Sequence, residues 1–79
     1  VMLMIRIKLM GALAHLAESN EVYVEIDKPK TVDEILREVI KDYDKLHDKI
    51  IMVNGKVARG DAIVNDGDEI KVMPVLSGG

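Results

Sequence analysis

Apolar and polar residues alternate from Met2 to Met10, with Leu3, Ile5, Ile7 and Leu9 in one phase and Arg6 and Lys8 in the other beside Met4 and Met10. A period of two marks a half-buried strand. Gly11 interrupts it, and Ala12 to Glu18 has helix-forming composition, with Leu13, Leu16 and Ala17 on one face. Ser19-Asn20 turns the chain into a second alternating strand, whose Val22, Val24 and Ile26 point inward. Pro29 ends that strand, and the period changes. Val32, Ile35, Leu36, Val39, Ile40 and Tyr43 follow a 3.6-residue repeat for about three turns. Thr31 is the expected N-cap, and Glu34 three residues later completes a capping box. Asp33 and Glu34 also suit the positive end of the helix dipole. Asp33, Arg37, Glu38, Lys41 and Asp42 form the polar face.

The remaining elements are short. Asp44 to Lys49 reads as a connecting turn and Ile50-Ile51-Met52-Val53 as a strand closed by Asn54-Gly55, both of which tolerate positive φ. Lys56 to Ala58 is a brief return strand, and Ala62-Ile63-Val64 leads into a turn at Asn65-Asp66-Gly67-Asp68. The last strand is Glu69 to Met73, with Ile70 and Val72 inward. Pro74 lacks an amide hydrogen, so pairing is expected to lapse there. One helix can bury only a single stripe, so this order predicts an α+β domain with one sheet covered on one face by the helix. Leu36 and Ile70 are expected to meet in its core.

Composition narrows the function. The 79 residues make one domain with a modest core, built without Phe or Trp from Val, Ile, Leu and Met, with Tyr23 and Tyr43 the only aromatics. A net charge of -3, with basic residues interleaved among acidic ones, argues against a nucleic-acid binder, as does the lack of stacking platforms. No apolar run reaches membrane-spanning length, and the first residues lack the layout of a signal peptide, so neither membrane nor secretion is expected and cytoplasm is the default. Without cysteine there is no disulfide, thiolate metal site or thiol nucleophile. His15 and His47 sit in unrelated elements and read as surface residues. Asp66, Asp68 and Glu69 fall short of a calcium loop and read as turn formers. Tyr43 reads as a partly buried cap on the helix stripe. No metal or bound cofactor is expected.

The chain ends Val75-Leu76-Ser77-Gly78-Gly79. A terminal glycine pair is a poor closing clamp, because glycine loses the most backbone entropy on ordering. Ordinary fraying or an expression remnant would account for it. So would a thin tail that enters a narrow channel and presents its carboxylate to another protein. Residues 1–75 then form the domain and 76–79 a flexible tail.

Three segments decide between these readings: Val53-Asn54-Gly55-Lys56, Val64-Asn65-Asp66-Gly67-Asp68-Glu69-Ile70, and Met73-Pro74 followed by the diglycine end. At these separations the chain resembles the MoaD/ThiS family of sulfur carriers in the ubiquitin-like β-grasp superfamily, and within it the small subunit of molybdopterin synthase. The resemblance implies a mixed sheet of four to five strands packed on one long helix plus a short one, with the last strand parallel beside the first. It also implies that Gly79 is adenylated by an E1-like (MoeB-like) enzyme that uses ATP, then converted to a thiocarboxylate. The tail would deliver that sulfur inside the large, MoaE-like subunit of molybdopterin synthase, on the path to the molybdenum or tungsten cofactor. Gly79 is then the reacting residue, Ser77 and Gly78 the threaded segment, and Pro74, Val75 and Leu76 its base. Val75 and Ser77 stand where many members of the family have proline and alanine. A ubiquitin-like protein modifier, a carrier for thiamin or tRNA thiolation, and a non-catalytic binding scaffold are the alternatives.

A carrier of this kind has no self-contained active site and must be recognised by its partners. Met4, Met10 and Met73 share the sheet face opposite the helix with Arg6, Lys8 and Lys71 in the strand phases above. Methionine adapts to irregular surfaces, and a charge-rimmed apolar patch suits partner binding. The plainer alternative is that these side chains are singly exposed or covered by the short helix.

Overall fold

The computed structural model describes residues 1–16 and 20–75, without the side chains of His15 and Leu16. Strands β1 (Leu3–Leu9), β2 (Glu21–Ile26), β4 (Lys49–Val53), β5 (Lys56–Ala58) and β7 (Glu69–Pro74) form a five-stranded sheet in the order β2-β1-β7-β4-β5. β1 and β7 run parallel at its centre, and the other pairs are antiparallel. Helix α1 (Val32–Val39) covers one face. This is the mixed-sheet α+β β-grasp expected from the sequence. A second, two-stranded sheet joins β3 (Lys30–Thr31) to β6 (Ile63–Val64), which the sequence reading did not anticipate. Two residues per strand are too few to show a period.

The inward phases read for β1, β2 and β7 hold, whereas none was read for β4. Ile5, Ile7, Leu9, Ile70, Val72 and Ile51 are buried with Val32, Ile35, Leu36, Ile40, Tyr43 and Val64 in one cluster. Leu36 and Ile70 are both fully buried in it. Val22 and Val24 are only half-buried, because β2 is an edge strand with a neighbour on one side alone.

The first three amides of α1 all have partners. Val32 N–H donates to the Ala62 carbonyl and Asp33 N–H to the Gly60 carbonyl, each at 2.9 Å, while Glu34 N–H donates to Thr31 Oγ1 at 3.2 Å. The expected cap is therefore present, and the 59–62 loop supplies the rest. Glu34 Oε1 accepts from the Thr31 hydroxyl at 3.1 Å, a side-chain link that differs from the backbone bond of the expected capping box.

The helix is shorter than the three turns its apolar period suggested. It ends at Val39, Ile40 is extended, and Asp42 adopts a left-handed conformation at φ 56°. Tyr43–Lys45 then forms a single 3-10 turn. The period survives the break because that turn drops Tyr43 back onto the same core. Its hydroxyl donates to Asp33 Oδ1 at 2.6 Å, and burial, then this bond, push its pKa up, so it stays protonated. Tyr43 is thus the cap on the helix stripe that the sequence suggested. The short helix is also 3-10, at Gly11–Leu16, with Leu13 buried; its expected Leu16 and Ala17 face and the Ser19 turn lie outside the description.

Candidate functional site

The outer face of the sheet, opposite α1, is laid out by register. Arg6 lies between Tyr23 on β2 and Glu69 on β7, and Lys8 between Glu21 and Lys71. Lys71 is opposite Met52, which is opposite Val57, and Met73 is opposite Ile50. Met10 extends β1 by one more residue, its amide donating to the Val72 carbonyl at 2.9 Å. Alternation puts it beside Met73. Met10, Met73, Ile50, Met52 and Val57 thus make an apolar patch toward the end of β7, with Ile50 38% and Val57 76% exposed.

Of the expected methionines, Met10 and Met73 come together, and Met4 does not join them. Six residues along one strand separate Met4 from Met10, about 20 Å at the usual rise. Met4 lies instead beside Arg6, Tyr23, Gly67 and Asp68 in a shallow depression. Ile50, Met52 and Val57 were not singled out from the sequence. Ile50 to Val53 is an unbroken apolar run, so no polar residue reveals which pair faces outward.

The base of the tail departs from expectation at Pro74. It pairs in register with Lys49, and the next residue, Val75, donates to the Asp48 carbonyl at 3.2 Å. Odd-numbered residues of β7 bond toward β4, as Glu69 and Val75 do, while Val72 bonds toward β1. The missing amide of Pro74 therefore points to the side where β1 has already ended, and pairing with β4 continues. Gly11, at φ 57°, lets the chain leave β1 beside the ring; a Cβ there would lie 3.2 Å from Pro74 Cγ. Leu76, Ser77, Gly78 and Gly79 lie outside the described residues.

The turns that carried the family resemblance are a structural hub. Asn54 accepts from Glu69 N–H and donates to Asp68 Oδ1, both at 2.9 Å. Asp68 Oδ2 accepts from Asn65 N–H at 2.8 Å, and Asp66 Oδ1 accepts from Met4 N–H at 2.7 Å. These bonds tie β1, β4 and β7 at one end; Asp66 and Asp68 serve the turn region as the sequence reading held, whereas Glu69 opens β7. Arg6 pairs with Glu69, which raises the guanidinium pKa and holds the carboxyl below its ordinary value. Among the described residues no cluster of His, Asp or Glu is arranged to hold a metal, and no helix is long and apolar enough to cross a membrane.

A parallel β1–β7 pair in a mixed sheet with a helix across one face defines a ubiquitin-like β-grasp fold. The ThiS family profile matches residues 7–79, and the chain belongs to that family. Among solved structures it is similar to SAMP1 of Haloferax volcanii, at 30% identity and a TM-score of 0.75 over 96% of this chain and 99% of that one. A putative molybdopterin converting factor subunit 1 from Pyrococcus furiosus shares 23% identity at a TM-score of 0.77, over 94% and 99% of the two chains. A complex of subunits 1 and 2 of the molybdopterin-converting factor from Helicobacter pylori contains a chain with 19% identity and a TM-score of 0.63, over 98% and 100%. No curated protein matches the sequence.

Proposed function

We propose that this protein is a sulfur carrier that bears a thiocarboxylate on Gly79 and donates sulfur in molybdopterin synthesis. The observation that carries the reading is the family match, which runs through the terminal glycine pair to Gly79. β7 is still paired at Val75, the last described residue, whose N–H donates to the Asp48 carbonyl. A carboxylate is a poor acyl donor because its oxygen leaves badly. Attack of the Gly79 carboxylate on the α-phosphorus of ATP, with loss of pyrophosphate, gives an acyl-adenylate, and a sulfur donor then displaces AMP at the carbonyl. Glycine at 78 and 79 puts no side chain beside that carbonyl and admits the dihedrals a narrow channel imposes.

The nucleotide and the catalytic side chains belong to the partners: an E1-like adenylating enzyme and a MoaE-like large subunit. The Pyrococcus and Helicobacter proteins support the molybdopterin assignment through what they are named for. SAMP1, named as a modifier, favours a second reading in which Gly79 is joined to lysines of other proteins. Both readings begin with the same adenylate. Incubation with the cognate E1-like enzyme, ATP and sulfide, which displaces AMP to give the thiocarboxylate, then with the large subunit and the cyclic pterin precursor, tests the proposal. The full chain should release pyrophosphate and convert the precursor, and a chain lacking Gly79 should do neither while melting like the parent. A variant without Gly79 that supports both steps contradicts it.

A further inference from the structure

Asn54 is the one asparagine of three that precedes a glycine; Asn20 is followed by Glu21 and Asn65 by Asp66. An Asn-Gly pair is prone to react with itself, because glycine leaves its own amide nitrogen unhindered. That nitrogen attacks the asparagine side-chain carbon Cγ and loses its proton, and Nδ2 departs as ammonia. Water then opens the succinimide at one carbonyl or the other, leaving aspartate or isoaspartate. Water is consumed and ammonia released, with no oxidant or reductant. There is room for this at the turn. Asn54 and Gly55 are exposed, and a Cβ built on Gly55 meets nothing within 4 Å.

The folded turn nevertheless opposes the reaction. A φ of 50° at Asn54 and 82° at Gly55, between the paired Val53 and Lys56, matches a type I′ turn. Such a turn holds the first central ψ at about 30°, which puts the Gly55 nitrogen roughly trans to the Asn54 side chain and out of reach of Cγ. The side chain is fixed as well. Its Oδ1 accepts from Glu69 N–H and its Nδ2 donates to Asp68 Oδ1, each at 2.9 Å. The Asn54 amide donates to the Glu69 carbonyl at 2.9 Å, so Asn54 carries the β4–β7 pairing one residue beyond Val53 and Ile70. Closing the succinimide ring requires the turn to open and the side chain to leave both partners.

We infer that Asn54 is a latent deamidation site, shut by the hub in the folded domain and reacting only in molecules whose hub has opened, and that its product keeps the hub from closing again. Aspartate at this position has no N–H for Asp68 and sets two carboxylates at hydrogen-bond separation. Isoaspartate puts an extra carbon into the backbone of a tight turn. The reaction thus makes a transient opening at this end of the sheet permanent and marks the chain by its age. The inference stands apart from the carrier reading.

The full-length protein is incubated at mildly alkaline pH, folded in buffer and unfolded in urea, and Asn54 is followed by peptide mapping with mass spectrometry. Deamidation should be at least about tenfold slower in the folded chain, because the rate follows the open fraction. Equal rates in the two states, or an Asn54 that stays intact in both, overturn the inference. Asn54→Asp presents one product directly and should lower the denaturant midpoint. Adding Asp68→Asn should recover most of that loss, since a carboxamide at 68 can donate to a carboxylate at 54. An Asn54→Asp variant that melts like the parent, or a loss that Asp68→Asn does not recover, overturns the claim that the product holds the hub open.

Discussion

The two faces of the central sheet are built from the same strands with opposite economies. On the inner face Ile5, Ile7, Ile70 and Val72 have no solvent exposure and pack under α1. On the outer face the neighbouring positions hold Arg6, Lys8, Lys71 and Met73, and Ile50 and Val57 remain open to solvent. Removing atoms from the first face leaves a cavity that the surrounding core must absorb. Removing them from the second leaves only water in their place. The contrast separates residues that make the domain from residues available to be recognised, and each can be changed without the other.

The inner face should give the largest effects. Truncating Leu36 or Ile70 to Ala should cost about 2 to 5 kcal/mol, enough to unfold a marginal small domain, as read in denaturant melts. If either variant melts like the parent, the division between the faces fails. Ile50→Ser should do the reverse. Its melt should shift by less than about 1 kcal/mol, while affinity for the E1-like enzyme falls about tenfold. Equal losses in both assays would make Ile50 a folding residue. Thr31→Ala removes the cap from a helix whose stripe is otherwise intact, so about 1 kcal/mol should be lost and the helical circular dichroism kept.

The smallest effect belongs to the charged part of the outer face. Pairing with Arg6, aided by Lys8 and Lys71, holds the Glu69 carboxyl below its ordinary 4.5, against the opposing pull of desolvation. A carboxylate with a depressed folded pKa contributes stability above its unfolded pKa and loses it as pH falls through the folded value. Glu69→Gln should therefore lower the denaturant midpoint slightly at neutral pH, and the gap should close on acidification. A gap that widens in acid would mean the pair is absent in solution.

The sequence was most legible where one face of an element is wet. β1, with Arg6 and Lys8 alternating with Ile5, Ile7 and Leu9, and α1, with its polar side and Thr31 cap, could be phased from the residues alone. The helix end could not, because Ile40 and Tyr43 keep the apolar repeat through a break that depends on the backbone of Asp42. Pro74 misled because its side of the ladder depends on where β1 stops. The outer patch was half legible: Met10 and Met73 follow from alternation, whereas Ile50 and Met52 lie hidden in an apolar run. The terminal glycine pair stood out in the sequence, but the reacting role expected of Gly79 came only through the family resemblance, and Gly79 lies outside the described residues.

The most direct test of the central claim is the intact mass of the protein recovered from its host, with the C-terminal peptide fragmented to locate any change. The carrier account predicts a population in which one oxygen of the Gly79 carboxylate is replaced by sulfur. Gly79 found instead in amide linkage to lysines of other proteins, with no sulfur-bearing form at any growth stage, would contradict it.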